Sequence, residues 1–437
     1  MNISPAKRIS GRLTMPGDKS ISHRAALIAA VAEGPSRLRN YSTSQDCAAT
    51  LACLQDLGVL IDRRGAEVLI HGAGKKGLRA PEGELDCANS GTTMRLLAGV
   101  LAGQSFVSTL TGDESLRSRP MQRVAEPLGM MGAQVSSVAG RAPLTIEGRH
   151  SLTAIDYELL IASAQVKSCI LLAALNAKGK TTVTENEVTR DHTERMLKWF
   201  GAPVETGSQG EHARFPTVTG PVELSARDFS IPGDVSSAAY FIAAAAMLPQ
   251  SSLEISDVGL NPTRVAFLGH LGEFGSIEVT NPREEAHEPV GTIHIRGVAR
   301  EPSPPELETP VKIEGLEIPK LIDELPLLAV VGSQIRHGIE IRDARELRAK
   351  ESDRIAATVE NLRAMGAEVE EFEDGLRVSG GTKLCGATID PRGDHRIAMA
   401  FSVAALIAEG DCEIKDPECV GVSFPEFFDL LDSVAER

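Results

Sequence analysis

The chain has 437 residues, past the length at which a single hydrophobic core keeps growing, so two domains are the starting expectation. Its 42% apolar and 24% charged content is ordinary for a globular protein, and a formal charge of −15 argues against a non-specific nucleic-acid binder. One Trp and three Tyr leave too few rings for a stacking surface on single strands. Cys47, Cys53, Cys87, Cys169, Cys385, Cys412 and Cys419 are scattered without a C-x-x-C pair, which predicts reduced thiols and neither a disulfide framework nor a zinc site. The N-terminus has no apolar signal-peptide core, and the longest apolar run, residues 238–248, is too short to span a bilayer. A cytoplasmic protein without membrane contact is expected.

The first informative stretch is Met15-Pro-Gly-Asp-Lys-Ser-Ile-Ser-His-Arg24, leading into the apolar run 25–32. It reads as a turn meeting a helix start, with Ser20 and Ser22 as candidate caps. Lys19 and Arg24 gain nothing from the positive end of a helix dipole. They make sense where an external anion is held by free N–H groups and two cationic side chains.

Further along, five amphipathic segments end in Gly and pass into a short alternating stretch, at Gly58, Gly132, Gly201, Gly275 and Gly366. Glycine in the C′ position allows the left-handed backbone that ends a helix. Upstream of each, an apolar helix is followed by a strand, a polar loop and the amphipathic helix. A truncated sixth copy closes the chain at 424–434. Helices this apolar should be enclosed on most sides, which suggests helices inside and sheets outside. Six units divide into three and three near Asp228-Phe-Ser-Ile-Pro-Gly-Asp234. The expected domains are 17–231, with units one to three, and 1–16 plus 232–437, with units four to six. The first strand, about 7–15, should pair within the second domain. The Pro-rich, charged stretch 281–310 reads as a surface insertion.

The starts of the apolar helices and the loops before the amphipathic ones concentrate polar caps with Lys and Arg. Examples are Asn89-Ser-Gly-Thr-Thr-Met-Arg95, Leu116-Arg-Ser-Arg-Pro-Met-Gln-Arg123, Ser163-Ala-Gln-Val-Lys167, Thr189-Arg-Asp-His-Thr-Glu194, Arg348-Ala-Lys-Glu-Ser-Asp-Arg354 and Gly393-Asp-His-Arg396. Such cationic clustering in an acidic protein requires counter-charge and points to small ligands with several phosphate or carboxylate groups. Asp323 and Glu351 are candidate proton carriers, and Lys19 and Lys350, crowded by cations, have a reason for lowered pKa values. His23, His192 and His395 are read as packing residues beside arginines. No H-E-x-x-H, Walker loop or carboxylate cluster for magnesium is present.

In order along the chain, Pro-Gly-Asp-Lys-Ser-x-Ser-His-Arg24, Asn-x-Gly-Thr-x-x-Arg95, Arg119-Pro-Met, Ser-Ala-Gln165-x-Lys167, Asn-Pro-Thr-Arg264, Lys350-Glu-Ser-Asp-Arg354, Asp-His-Arg396 and Ser-Phe-Pro-Glu426 resemble the motifs of the 5-enolpyruvylshikimate-3-phosphate (EPSP) synthases, the 3-phosphoshikimate 1-carboxyvinyltransferases. The resemblance implies an α/β fold, a two-domain inside-out α/β barrel of three βαβαββ-type units per domain, with the active site in the interdomain cleft. It implies transfer of the enolpyruvyl group of phosphoenolpyruvate to the 5-hydroxyl of shikimate 3-phosphate, without metal or organic cofactor. It also implies a monomer that binds no nucleic acid. By motif, Lys19, Ser20, Arg24, Ser163, Ala164, Gln165, Arg190, Asp323 and Lys350 would contact shikimate 3-phosphate. Lys19, Gly91, Arg119, Gln165, Arg354 and Arg396 would hold phosphoenolpyruvate. Asp323 would be the base, Glu351 the acid at the methylene carbon, and Lys19 a third catalytic group.

Two features depart from the family pattern or divide it. Val422 stands before Ser423 where some members have Lys. The segments around Gln165 and Arg190 resemble a branch often tolerant of the inhibitor glyphosate, whereas Gly91 is retained where some tolerant members carry Ala. The competing readings are the sister transferase acting on UDP-N-acetylglucosamine and a catalytically silent anion-binding scaffold. The first typically uses a loop Cys, which is absent from 111–123, and intact Lys19, Asp323, Glu351 and Arg354 oppose the second.

Overall fold

The computed structural model describes residues 1–210, 212–272, 274–298 and 309–437. The chain forms two compact units. Unit 1 comprises Met1–Met15, Gly233–Arg283 and Pro289–Arg437; unit 2 comprises Pro16–Pro232 with Glu284–Glu288. Each has its own hydrophobic core.

Three helices lie at the centre of each core because their sequences offer no polar face. In unit 2 these are Lys19–Val31, Gly91–Ala102 and Ala164–Ala174, with every residue from Ile21 to Val31 buried in the first. In unit 1 they are Val235–Met247, Leu325–Gln334 and His395–Leu406, the last buried along its whole length. Amphipathic helices, among them Gln45–Asp56, Gln122–Met130, His192–Trp199 and Arg354–Ala364, keep one exposed side.

Among the described residues, the strands form six small sheets. In the sheet of Leu85–Asp86, Val107–Thr111, Arg141–Glu147 and Gln134–Val138, the first pair is parallel across the buried helix and the rest are antiparallel. The same order recurs with Val311–Ile313, Ile339–Ile341, Gly375–Val378 and Val369–Phe372. The two units exchange their first strands. Arg8–Thr14, which precedes helix Lys19–Val31, runs parallel to Ser252–Gly259. Phe229–Ser230, which precedes helix Val235–Met247, runs parallel to Glu33–Arg39.

Four of the five repeat glycines have the left-handed backbone expected after a helix: Gly58, Gly132, Gly201 and Gly366. Gly275 does not. It opens strand Gly275–Glu285, where a Cβ would lie 2.6 Å from the Arg296 carbonyl oxygen, so close approach selects it. The expected surface insertion at 281–310 is also corrected over its first part. Gly275–Glu285 and Glu288–Gly297 are neighbouring strands, and Val290, Ile293 and Ile295 are buried, the last two on one face of the second strand. Residues 299–308 lie outside the described residues. The helix beginning at Lys19 is capped by Asp18, whose carboxylate accepts from Ile21 N at 2.9 Å, and Ser20 and Ser22 sit within it.

A second repeated glycine follows an apolar–polar pair in the hairpins: Ile70-His-Gly72, Ile146-Glu-Gly148, Val218-Thr-Gly220, Ile295-Arg-Gly297 and Val378-Ser-Gly380. Each presses on the C-terminal end of a buried helix. A Cβ there would lie 2.2 Å from Ala32 O, 2.3 Å from Leu101 O, 2.3 Å from Ala174 O, 2.1 Å from Leu248 O and 1.8 Å from Ile335 O, respectively. The sheets seat on the helices through these contacts. Among the described residues, no helix is long and apolar enough to cross a membrane.

Gly148→Ala is expected to destabilise the fold by about 1–3 kcal/mol through overpacking. Gly129→Ala, at a helical position where a Cβ meets nothing within 4 Å, should instead stabilise by up to about 1 kcal/mol. Urea unfolding midpoints of the two variants distinguish the signs; equal shifts would remove the steric account.

Candidate active site

Buried helices leave their first N–H groups in need of acceptors, and this chain supplies them with side chains. Asp18, Ser90, Ser163, Asp234 and Asp394 each cap one of the six central helices. The predicted site residues stand on or beside these starts, or just before and at the starts of the amphipathic helices Gln122–Met130, His192–Trp199 and Arg354–Ala364.

In unit 2, Lys19 Nζ lies 2.9 Å from Asp46 Oδ2, with both side chains largely buried. The cationic crowding expected at Lys19 is thus answered by a carboxylate from the first turn of helix Gln45–Asp56. Arg24 is buried, and its Nε donates to Thr193 Oγ1 at 2.7 Å, its Nη1 to the Ser20 carbonyl at 2.9 Å and its Nη2 to Ser168 Oγ at 2.9 Å. Ser163 caps helix Ala164–Ala174, placing Ala164 and Gln165 in its first turn. The Gln165 amide accepts from Arg95 Nη1 at 2.7 Å and donates to Thr92 Oγ1 at 2.9 Å. Arg119 donates to Asn89 Oδ1 at 2.7 Å and to Ser115 Oγ at 3.1 Å. Gly91 lies between the two arginines, since a Cβ on it would be 2.8 Å from Arg95 Nη1 and 3.4 Å from Arg119 Nη1. Arg190 is half-buried in the loop entering helix His192–Trp199.

In unit 1, Arg354 is surrounded by acids. Its Nε lies 2.8 Å from Asp394 Oδ2, its Nη2 2.5 Å from Glu351 Oε2 and its Nη1 3.5 Å from Asp323 Oδ1. Arg396 shares Asp323, with Nη2 at 3.4 Å from Oδ2 and Nη1 donating to its carbonyl at 3.1 Å. Burial alone would lower the pKa of Arg354, but Asp394 and Glu351 outweigh it and hold the guanidinium charged. For Arg396, Asp323 does the same against burial. Asp323, Glu351, Arg354 and Arg396 therefore form one cluster. Lys350 pairs with Glu346 at 3.5 Å.

Several residues that build these groups were not predicted as site residues. Asp46, Ser168, Thr193 and Asp394 orient the predicted cations, and Arg95 belongs with Gly91 and Gln165. Arg95 had a signal, standing one helical turn after Gly91 in a quoted motif. Asp394 had another, as the cap residue before His395-Arg396. Thr193 stands within the segment 189–194 but, like Asp46, acts across the fold, and no local pattern names the partner of either.

His23, His192 and His395 are buried. His23 is fully buried with Nδ1 2.7 Å from Thr50 Oγ1, and His192 Nδ1 is 2.7 Å from Glu288 Oε1. Burial, helped by Lys19 and Arg24, pushes the His23 imidazole well below its ordinary range. All seven cysteines are free, and among the described residues no His, Cys, Asp or Glu group is arranged to hold a metal ion.

The model for EPSP synthase (3-phosphoshikimate 1-carboxyvinyltransferase) matches residues 3–431. The chain belongs to the EPSP synthase family. It is 49% identical over 439 residues to the 3-phosphoshikimate 1-carboxyvinyltransferase of Koribacter versatilis, covering 100% of this chain and 99% of that protein. With the enzyme of that name from Solibacter usitatus it shares 48% over 436 residues, covering 99% of each. The crystal structure of EPSP synthase from Acinetobacter baumannii superposes with a TM-score of 0.85 at 39% identity, covering 99% of this chain and 98% of that one. The mixed α/β fold is thus that of an EPSP synthase.

The His23 shift carries a pH dependence. A histidine whose folded pKa is depressed binds a proton more readily unfolded, so stability falls as pH drops below its unfolded pKa of about 6.5. Between about pH 6.5 and 5, His23→Asn should flatten the dependence of unfolding free energy on pH by up to about 1.4 kcal/mol per unit. Parallel curves for the two proteins would assign the acid sensitivity elsewhere.

Proposed function

We propose that both clusters of cations and acids act on one pair of substrates in the family reaction. The chain transfers the enolpyruvyl group of phosphoenolpyruvate to shikimate 3-phosphate and releases phosphate, in the shikimate pathway to the aromatic amino acids. The finer reading is an inside-out two-domain barrel acting as a cytoplasmic monomer, without nucleic-acid partners. The observation that carries the site assignment is the sharing of Asp323 between Arg354 and Arg396, with Glu351 on the same guanidinium.

In this reading Ser20, Arg24, Ser163, Ala164, Gln165, Arg190 and Lys350 hold shikimate 3-phosphate. Gly91, Arg119, Gln165, Arg354 and Arg396 hold phosphoenolpyruvate, and Lys19 touches both. Phosphoenolpyruvate competes with Glu351 and Asp323 for the same guanidinium groups. An anion arriving beside a carboxylate raises its pKa, so binding itself favours the protonated Glu351 that a general acid requires. Glu351 then protonates the methylene carbon, and cationic character develops at C2. The 5-hydroxyl attacks C2 as Asp323 accepts its proton. Loss of a methyl proton and of phosphate from the tetrahedral adduct restores the double bond in the product. Each acid–base step contributes on the order of 10² to 10⁴ in rate.

Glu351→Gln and Asp323→Ala are expected to cut kcat by about 10² or more with unfolding cooperativity retained. Normal turnover in Glu351→Gln would remove its role as the acid. Arg24→Ala should raise KM for shikimate 3-phosphate by at least about tenfold with a smaller effect on kcat. Phosphate release from phosphoenolpyruvate, with shikimate 3-phosphate and UDP-N-acetylglucosamine compared as acceptors, tests the activity directly; release with the nucleotide sugar alone would overturn it.

A further inference from the structure

Arg24 reaches its two side-chain acceptors through an ordered chain of hydroxyls. Ser168 Oγ donates to the Ala164 carbonyl at 2.6 Å, and Ser168 Oγ and Thr193 Oγ1 are 2.6 Å apart. A guanidinium only donates, so both hydroxyl oxygens accept from Arg24. The Ser168 proton is committed to Ala164, so the Thr193 proton must point at Ser168 Oγ. Every hydrogen in the chain is thereby assigned, in one direction: Thr193 to Ser168 to the backbone of Ala164. Ser168 and Thr193 are buried, so no water can substitute without a cavity to hold it.

We infer that Thr193 and Ser168 are positioning residues that set the guanidinium plane of Arg24 for the acceptor substrate. They tie three separate segments to one geometry: helix Lys19–Val31, the first turn of helix Ala164–Ala174 and the first turn of helix His192–Trp199. The adjacent buried ion pair of Lys167 with Glu194, at 2.7 Å, holds the last two segments together. A hydroxyl orients the arginine without cancelling its charge, which suits a group that must still attract an anion. A valine at 193 keeps the shape but neither accepts from Arg24 nor donates to Ser168. The inference rests on the reading that Arg24 binds shikimate 3-phosphate.

The test is steady-state kinetics on the full chain with Thr193→Val, Ser168→Ala, Thr193→Ser and Arg24→Ala, alone and combined. Thr193→Val and Ser168→Ala should each raise KM for shikimate 3-phosphate about tenfold, leaving KM for phosphoenolpyruvate within about twofold and kcat nearly unchanged. Thr193→Ser should restore most of the loss. In an Arg24→Ala background, Thr193→Val should add almost nothing, since both act through one group. Additive effects, an equal rise in both KM values, or failure of serine to rescue would overturn the inference. If Thr193→Val does not fold, the split between the two KM values in Ser168→Ala and its non-additivity with Arg24→Ala decide it. An Arg24→Ala enzyme with normal KM for shikimate 3-phosphate would instead defeat the underlying reading.

Discussion

An arginine stays protonated at any pH this fold survives, so burying one obliges the surrounding structure to provide acceptors in fixed places. Arg24, Arg95, Arg119, Arg264, Arg354 and Arg396 are all buried. Each stands close to the start of a helix, where the backbone also needs acceptors. The same short side chains answer both needs. Asp394 takes the N–H of Arg396 and the guanidinium of Arg354, while Asp234 caps its helix 3.8 Å from Arg264. Helix starts, caps and cations form one construction, and altering any member disturbs the others.

The acceptors differ in kind. Arg24 and Arg119 are held in part by hydroxyl and amide oxygens, which direct a guanidinium and leave its charge intact. Arg354 and Arg396 are held by carboxylates, which direct and neutralise together. Under the proposed function, an anion arriving at Arg24 would meet hydroxyl acceptors, whereas one arriving at Arg354 would have to exchange with resident acids. In the proposed function, that exchange would link substrate arrival to the protonation of Glu351.

Much of this was legible in the sequence because the signals are local. The apolar helices, the C′ glycines at 58, 132, 201 and 366 and the cationic helix starts are read within a turn or two. Pro-Gly-Asp stands at two passages of the chain between the units, at Pro16-Gly17-Asp18 and Pro232-Gly233-Asp234. What escaped were relations across the fold. Asp46 reaches Lys19 from 27 residues away and Thr193 reaches Arg24 from 169, and no periodicity announces such pairs. Cap choice between Asp18 and the following serines depends on the backbone angle entering the helix, which composition does not fix. The apolar–polar–Gly triplets at 72, 148, 220, 297 and 380 were present to be read, but their meaning is steric and emerges only when the helix ends appear beneath them.

The exchange of first strands has a consequence for biosynthesis. Apart from five residues, unit 2 is a continuous stretch from Pro16 to Pro232 and can begin to fold as it leaves the ribosome. Strand Arg8–Thr14, translated earlier, finds its parallel neighbour only when Ser252–Gly259 has been made, and its other neighbour only when Ala435–Glu436 has followed. This strand is thus incorporated long after it is made, and until then it trails as an unpaired edge.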